Sequence, residues 1–149
     1  MVCLGNICRS PMADGLLRKK VDENGLNVIV DSAGTSAYHI GEAPDSRMRN
    51  TAMELGTPIE SLRARQFLKG DYDEFDLIYA MDKSNYNNIL SLARDASDKE
   101  KVKLILNESN PGMNLEVPDP WYGGKQGFYD VYRMLDEATD VILNNLMND

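Results

Sequence analysis

The segment VCLGNICRSP at residues 2–11 constrains this chain more than any other part of its sequence. Five residues separate Cys3 from Arg9, and among them Gly5 and Asn6 tolerate the left-handed backbone that a tight curl requires. A loop that curls here turns its backbone N–H groups inward and, with the N-terminus of a following helix, forms a nest for an anion. The sequence therefore predicts a phosphate-binding loop that consists of Leu4, Gly5, Asn6, Ile7, Cys8 and Arg9.

The same loop suits nucleophilic chemistry. The guanidinium of Arg9 is a planar fork of donors that matches two phosphate oxygens. Its charge, the loop amides and the helix dipole would stabilise a thiolate at Cys3, and the thiolate is the form of cysteine that attacks. Ser10 is predicted to cap the following helix, with Pro11 at its first position, and from there its hydroxyl could turn toward the sulfur. The alternative is a buried Cys3 at a strand end beside a solvated Arg9.

Apolar runs alternate with helical patterns along the 149 residues. The strands are predicted at 1–2, 28–30, 77–81 and 102–106, and the helices from Ser10 onward, from an Asp45 cap to Gly56, at 84–93 and at 128–146. This order predicts a single three-layer α/β domain over 1–149, with a central twisted parallel sheet of about four strands and helices on both faces. The phosphate loop joins strand 1 to helix 1. Because strands usually span about five or six residues, we expect an apolar extension ahead of Met1.

Composition excludes several classes of function. The formal net charge of −8 would repel nucleic acid and anionic membranes, so attraction for phosphate has to be built locally. No apolar run approaches the ~20 residues that span a bilayer, and we expect a cytoplasmic protein. The two cysteines, Cys3 and Cys8, form no disulfide framework and suit a reducing compartment. A single histidine makes a metal site unexpected.

The loop sequence Cys-x-Gly-Asn-x-Cys-Arg-Ser-Pro resembles that of the low-molecular-weight protein tyrosine phosphatases. The resemblance extends over the whole chain, and a segment around Asp119 looks like the acid loop of that family. The matching segments, in chain order, are DSAG at 31–34, PDxR at 44–47, ARQ at 64–66, MDxSN at 81–85 and VPDPWYG at 117–123. A departure is Leu62, where the family commonly has a histidine.

The resemblance implies a phosphotyrosine phosphatase that needs no cofactor and no metal. Cys3 would attack phosphorus and form a phosphocysteine while Arg9 binds the phosphate oxygens. Asp119 would protonate the leaving phenolate and then act as base on the water that hydrolyses the intermediate. Phosphotyrosine-containing proteins would be the partners, among them a bacterial tyrosine kinase, as in similar proteins.

The resemblance also implies supporting roles. Asn6 would hold the curl of the loop with the help of Ser32, and Ser10 would stabilise the thiolate. Cys8 is either a small side chain packed under the loop or a resolving thiol that forms a disulfide with an oxidised nucleophile. His39, next to Tyr38, could lean toward the site, but a lone surface histidine is the expectation. A slot for the phosphotyrosine ring would be walled by Leu4, Ile7, Tyr38, Trp121 and Tyr122.

Three other functions share parts of this pattern. A thioredoxin-linked arsenate reductase would need further cysteines downstream, and none follows Cys8. A protein arginine phosphatase usually carries threonine where this chain has Ile7. A catalytically idle module that only binds phosphoprotein would not need Cys3, Arg9 and Asp119 together.

Overall fold

The computed structural model describes residues 1–149 apart from the side chain of Tyr122. Four short strands form one parallel sheet in the order β2-β1-β3-β4, so the strand that leads into the predicted phosphate loop lies between two neighbours. Val2 pairs with Ala33 on one side and with Ala80 on the other. The strands are β1 (Val2–Cys3), β2 (Ala33–Gly34), β3 (Ile78–Ala80) and β4 (Val102–Leu104).

Seven α-helices accompany the sheet in the described structure: α1 (Arg9–Glu23), α2 (Ser46–Glu54), α3 (Asp71–Glu74), α4 (Lys83–Leu90), α5 (Ala96–Glu100), α6 (Leu106–Ser109) and α7 (Lys125–Met147). A short 3-10 helix (Pro120–Tyr122) precedes α7. No helix that the structure describes is long and apolar enough to span a bilayer.

The sheet divides the core into two layers because successive strand residues face opposite sides. Cys3 and Tyr79 belong to the layer that α1 and α7 cover, whereas Val2 and Ile78 belong to the layer that includes Tyr72 of α3. Fully buried side chains of the first layer include Met12, Leu16, Met48, Phe128 and Leu135. The α/β fold with helices on both sides of a parallel sheet is as predicted.

The strand predicted at 28–30 is wrong. These residues have no strand pairing, and Ile29 is 84% exposed, while Val28 and Val30 only flank the main core. The pairing of this segment with β1 begins further along the chain: the amino group of Met1 donates to the carbonyl of Asp31, and the amide of Ala33 donates to the carbonyl of Met1. A cavity of about 370 Å³ opens there, between residues 27–33 and 74–79.

The first helix begins two residues earlier than the predicted cap at Ser10 implies. Cys8 occupies the cap position without a side-chain hydrogen bond, and Ser10 lies inside the first turn. Other boundaries agree more closely with the sequence. Asp45 caps α2 by accepting a hydrogen bond from the Arg47 amide, and Gly56 follows that helix with a φ of 85°.

We expect Gly15→Ala to destabilise the protein although alanine favours a helix by about 1 kcal/mol. A Cβ at Gly15 would lie 2.4 Å from Cγ2 of Ile59, which is buried. Overpacking of this kind costs about 1–3 kcal/mol, so the free energy of unfolding in urea should fall by up to about 2 kcal/mol. Gly127→Ala in α7 is the control, because its nearest neighbour is Cβ of Pro120 at 3.6 Å. Equal stability of the two variants would contradict the prediction.

Candidate active site

The loop between β1 and α1 curls around a buried asparagine. Asn6 has a φ of 55°, in the left-handed region that asparagine adopts more readily than most residues. Its side-chain oxygen accepts from the Arg65 amide at 3.0 Å, and its side-chain nitrogen donates to Ser32 Oγ at 3.0 Å and to Ser10 Oγ at 2.8 Å. Three partners therefore hold the unusual backbone in place, two of them on other segments of the chain.

The end of β2 lies directly against the same loop. A Cβ at Gly34 would come within 2.8 Å of the Leu4 carbonyl oxygen, so only glycine permits this approach. The amides of Thr35 and Ser36 donate to the carbonyls of Cys3 and Leu4, each at 2.9 Å. The DSAG segment thus supports the loop through its backbone as well as through Ser32.

Cys3 is buried at the end of β1, with its Sγ 3.0 Å from Ser10 Oγ. The Ser10 oxygen accepts from Asn6, and its single hydrogen faces two acceptors, the sulfur at 3.0 Å and the Ala33 carbonyl oxygen at 3.4 Å. A thiolate at Cys3 can only accept, so Ser10 would be its donor. The position inside the first turn of α1, rather than at its cap, is what points this hydroxyl into the loop.

Arg9 is almost fully buried, and two acceptors hold its guanidinium from one end. Nη1 donates to Asp82 Oδ2 at 2.7 Å and to the Val117 carbonyl at 3.0 Å. Among the described residues, Nε and Nη2 have no hydrogen-bond acceptor, which leaves this side of the fork for a ligand. Burial alone would lower the pKa of Arg9, but the negative charges of Cys3 and Asp82 raise it above its ordinary value.

The second cysteine of the loop, Cys8, lies in an environment that opposes its ionisation. Desolvation, followed by the charge of Cys3, raises the pKa of the Cys8 thiol far above its ordinary value. Cys8 is therefore a neutral thiol at neutral pH and a poor nucleophile. Both thiols are free in this structure.

Asp119 is exposed on the segment that leads into α7. Its Oδ1 accepts from the Trp121 amide at 3.0 Å, at the start of the short 3-10 helix. Two residues earlier, Val117 is anchored on both sides: its amide donates to Met81 and its carbonyl accepts from Arg9. The hydrogen bond to Val117 keeps the segment that carries Asp119 next to the phosphate loop.

These side chains meet at one cavity of about 200 Å³, lined by Cys3, Leu4, Gly5, Ile7, Cys8, Arg9, His39, Asp119 and Trp121. The structure thus brings together Cys3 and Asp119, which lie 116 positions apart in the sequence. Asn6, Ser10 and Ser32 lie behind this lining, and Asn6 donates a hydrogen bond to each of the two serines.

One predicted wall residue does not line the cavity. Tyr38 is 85% exposed, and His39 occupies the wall instead, against Gly5 and with its Nδ1 2.7 Å from Glu42 Oε2. Neighbouring residues of an irregular loop face different directions, and the sequence does not say which of the two turns inward. The side chain of Tyr122 lies outside the described residues. Leu62, which replaces the family's histidine, packs against the main core.

Sequence reasoning missed Asp82 as a partner of Arg9. Asp82 follows β3, caps α4 through the Asn85 amide and binds the guanidinium with its other oxygen. The position of Asp82 in the sequence could have indicated this contact. An acidic residue that follows a strand next to β1 in a parallel sheet lies at the same edge of the sheet as the phosphate loop.

Comparison with known proteins agrees with this arrangement. The model of the family described as Low molecular weight phosphotyrosine protein phosphatase matches residues 1–149. The low molecular weight phosphotyrosine protein phosphatase of Schizosaccharomyces pombe is 39% identical over 148 residues, which cover 97% of this chain and 94% of that protein. The chain belongs to this family.

Solved structures show the same fold. A protein tyrosine phosphatase from Entamoeba histolytica, with Hepes in the active site, superposes with a TM-score of 0.91 at 38% identity and covers 99% of this chain and 94% of its own. A Drosophila arginine phosphatase superposes with a TM-score of 0.88 at 29% identity and covers 97% and 94%. The fold therefore does not by itself choose between phosphotyrosine and phosphoarginine.

We expect substitution of Asn6 to weaken phosphate binding in two steps. Asn6→Gly keeps the left-handed backbone accessible but removes three hydrogen bonds, and the dissociation constant of inorganic phosphate should rise about tenfold. Asn6→Ala adds a left-handed strain of about 1–2 kcal/mol and should bind about five- to thirtyfold more weakly still. Titration calorimetry measures both, with the exposed Asn24→Ala as control. Equal binding by the glycine and alanine variants would contradict the strain argument.

Proposed function

We propose that the protein hydrolyses phosphotyrosine in other proteins through a phosphocysteine intermediate. The observation that carries this proposal is the meeting of Cys3, Arg9 and Asp119 at one cavity. A nucleophile, an anion-binding fork and a carboxyl group are the three parts that a two-step transfer of a phosphoryl group requires. The family membership of the chain supports the same conclusion.

Binding of the phosphate dianion depends on local charge, since the protein as a whole is acidic at −8. The free side of the Arg9 guanidinium, the loop amides and the N-terminus of α1 all present donors at the cavity. Asp82 balances Arg9 in the empty site and keeps its fork in one orientation. The bound phosphate takes the place of solvent at the unused donors.

The chemistry then follows in two displacements. The Cys3 thiolate attacks phosphorus, a sulfur–phosphorus bond forms, and the bond from phosphorus to the tyrosine oxygen breaks. The carboxyl proton of Asp119 moves to that oxygen, so the product leaves as a neutral tyrosine. Asp119 then takes a proton from water, the resulting hydroxide attacks phosphorus, and the sulfur leaves as the thiolate with Ser10 donating to it.

The cavity walls favour an aromatic substrate. Leu4, Ile7 and Trp121 present apolar surface above the loop, with His39 on one side. An aryl ring would bury area against these side chains, whereas a phosphoserine would leave them in water. We propose the cytoplasm as the compartment of the protein, because free thiols at Cys3 and Cys8 suit a reducing environment. The predicted partners are phosphotyrosine-containing proteins, among them a bacterial tyrosine kinase.

Cys3→Ser is expected to abolish turnover of a phosphotyrosine peptide while inorganic phosphate still binds, because the thiolate and the donor nest are separable. The parent protein should hydrolyse this peptide and leave phosphoarginine and arsenate unchanged in parallel assays. Substantial activity in the Cys3→Ser variant would rule out the covalent intermediate. Turnover of phosphoarginine or arsenate by the parent would favour the arginine phosphatase or the reductase instead.

Asp119→Ala is expected to lower kcat/KM for phosphotyrosine by about two to four orders of magnitude, the usual contribution of a general acid. The loss should be much smaller for aryl phosphates whose leaving group needs no proton. Asp22→Ala, at an exposed position of α1, is the control and should behave as the parent. An equal loss for both kinds of substrate would exclude Asp119 as the acid.

We also propose that Cys8 protects the nucleophile from over-oxidation. Peroxide would convert Cys3 to a sulfenic acid, and the neutral Cys8 thiol beside it would condense with it to a disulfide and water. Dithiothreitol should then restore activity after peroxide treatment in the parent but not in Cys8→Ser. Mass spectrometry of the oxidised parent checks the disulfide directly, and its absence would disprove this role.

A further inference from the structure

The segment that carries Asp119 is held to the rest of the molecule by few contacts. In the part of the chain that the structure describes, one hydrogen bond joins residues 118–124 to an element outside α7, and Arg47 donates it. Its Nη1 lies 2.9 Å from the carbonyl oxygen of Trp121. The other hydrogen bonds of this segment are local, between Trp121 and Asp119 and between neighbouring turns.

Arg47 also stacks on aromatic rings of this region. Its guanidinium carbon lies 5.1 Å from the centre of the Trp121 ring and 4.8 Å from that of Phe128, at the start of α7. A guanidinium at this distance from a ring face is attracted to it, and the planar group can hydrogen-bond at its edge while it stacks. The side chain therefore contacts residues 118–124, the acid loop, in two ways. Its edge donates to the Trp121 carbonyl, and its planar face stacks on the Trp121 ring.

A second pair of contacts ties Arg47 to the phosphate loop. Nε and Nη2 bind the two carboxylate oxygens of Asp45, each at 3.1 Å. The backbone amide of Asp45 donates to the carbonyl of Ile7 at 2.6 Å. A continuous path of hydrogen bonds thus runs from the phosphate loop through Asp45, Arg47 and Trp121 to Asp119.

Stability of the helix does not account for an arginine at this place. Arg47 lies in the first turn of α2, where a positive charge opposes the helix dipole. Asp45 alone already caps the helix through the Arg47 amide at 2.8 Å. Besides its pair with Asp45, the guanidinium contacts Trp121 of the acid loop and Phe128 of α7, which indicates a task there.

We propose that Arg47 is a positioning residue that holds the acid loop over the phosphate loop, so that Asp119 is placed to donate its proton. This inference rests on the proposed function, because it assigns Arg47 to the acid that the mechanism requires. Arg47 does not touch the substrate. Its loss leaves the phosphate nest intact and lets the exposed Asp119 move away from the leaving oxygen.

The test compares two classes of substrate in Arg47→Gln. The value of kcat/KM for a phosphotyrosine peptide should fall about 10- to 100-fold, since a displacement of about 1 Å can cost that much. It should change little for an aryl phosphate whose leaving group needs no proton, and the inhibition constant of inorganic phosphate should stay as in the parent. A merely structural role would lower both values of kcat/KM together, and that result would overturn the proposal.

Two further variants sharpen the comparison. Arg47→Lys keeps the charge but loses the two-pronged pairing with Asp45, so it should show the same substrate pattern in weaker form, and it replaces Arg47→Gln if that protein does not fold. Arg133→Gln removes one positive charge from an exposed position of α7 and should match the parent. A loss in Arg133→Gln equal to that in Arg47→Gln would overturn the proposal, because net charge alone would then explain both.

The double variant Arg47→Gln with Asp119→Ala separates this inference from the proposed function. If Arg47 acts through Asp119, the double variant should hydrolyse the phosphotyrosine peptide no more slowly than Asp119→Ala alone. A full additional loss would overturn the role of Arg47 and leave the mechanism standing. If Asp119→Ala itself shows no dependence on the leaving group, the mechanism fails, and the inference fails with it.

Discussion

The buried side chain of Asn6 is the constraint on which the site depends. Its φ of 55° gives the loop its curl, and its three hydrogen bonds connect α1, the segment before β2 and the segment after α2. A buried polar side chain with every bond made is stable, and one left unsatisfied is costly. The geometry of the nest is therefore set by contacts outside the nest, and the substrate does not have to organise it.

Charge is balanced within the site although the protein is strongly acidic. Arg9 is buried between Cys3 and Asp82, and their negative charges raise its pKa in spite of desolvation. The neighbouring Cys8 thiol remains neutral because burial and the charge of Cys3 both oppose its ionisation. The environment of Cys8, rather than its residue type, therefore makes it a poor nucleophile.

The sequence predicted the parts of the structure that depend on local chemistry. The loop from Cys3 to Arg9, the cap at Asp45 and the long apolar stripe of α7 each follow from residue types at short spacing. The parallel sheet between helical layers follows from the alternation of such segments. The strand at 28–30 was wrong because pairing needs a neighbour, and β-branched residues do not by themselves supply one.

What the sequence alone determined is the chemistry available to this protein: a thiol, a guanidinium and a carboxyl group on segments typical of one phosphatase family. Only the tertiary structure decided how they meet. It turned His39 rather than Tyr38 toward the cavity, paired Asp82 with Arg9, and linked Arg47 to the acid loop across 74 positions of the chain. The physical reason is that such contacts arise where distant segments pack. The sequence can indicate which edge of the sheet a residue such as Asp82 reaches, but not which side chain it pairs with there.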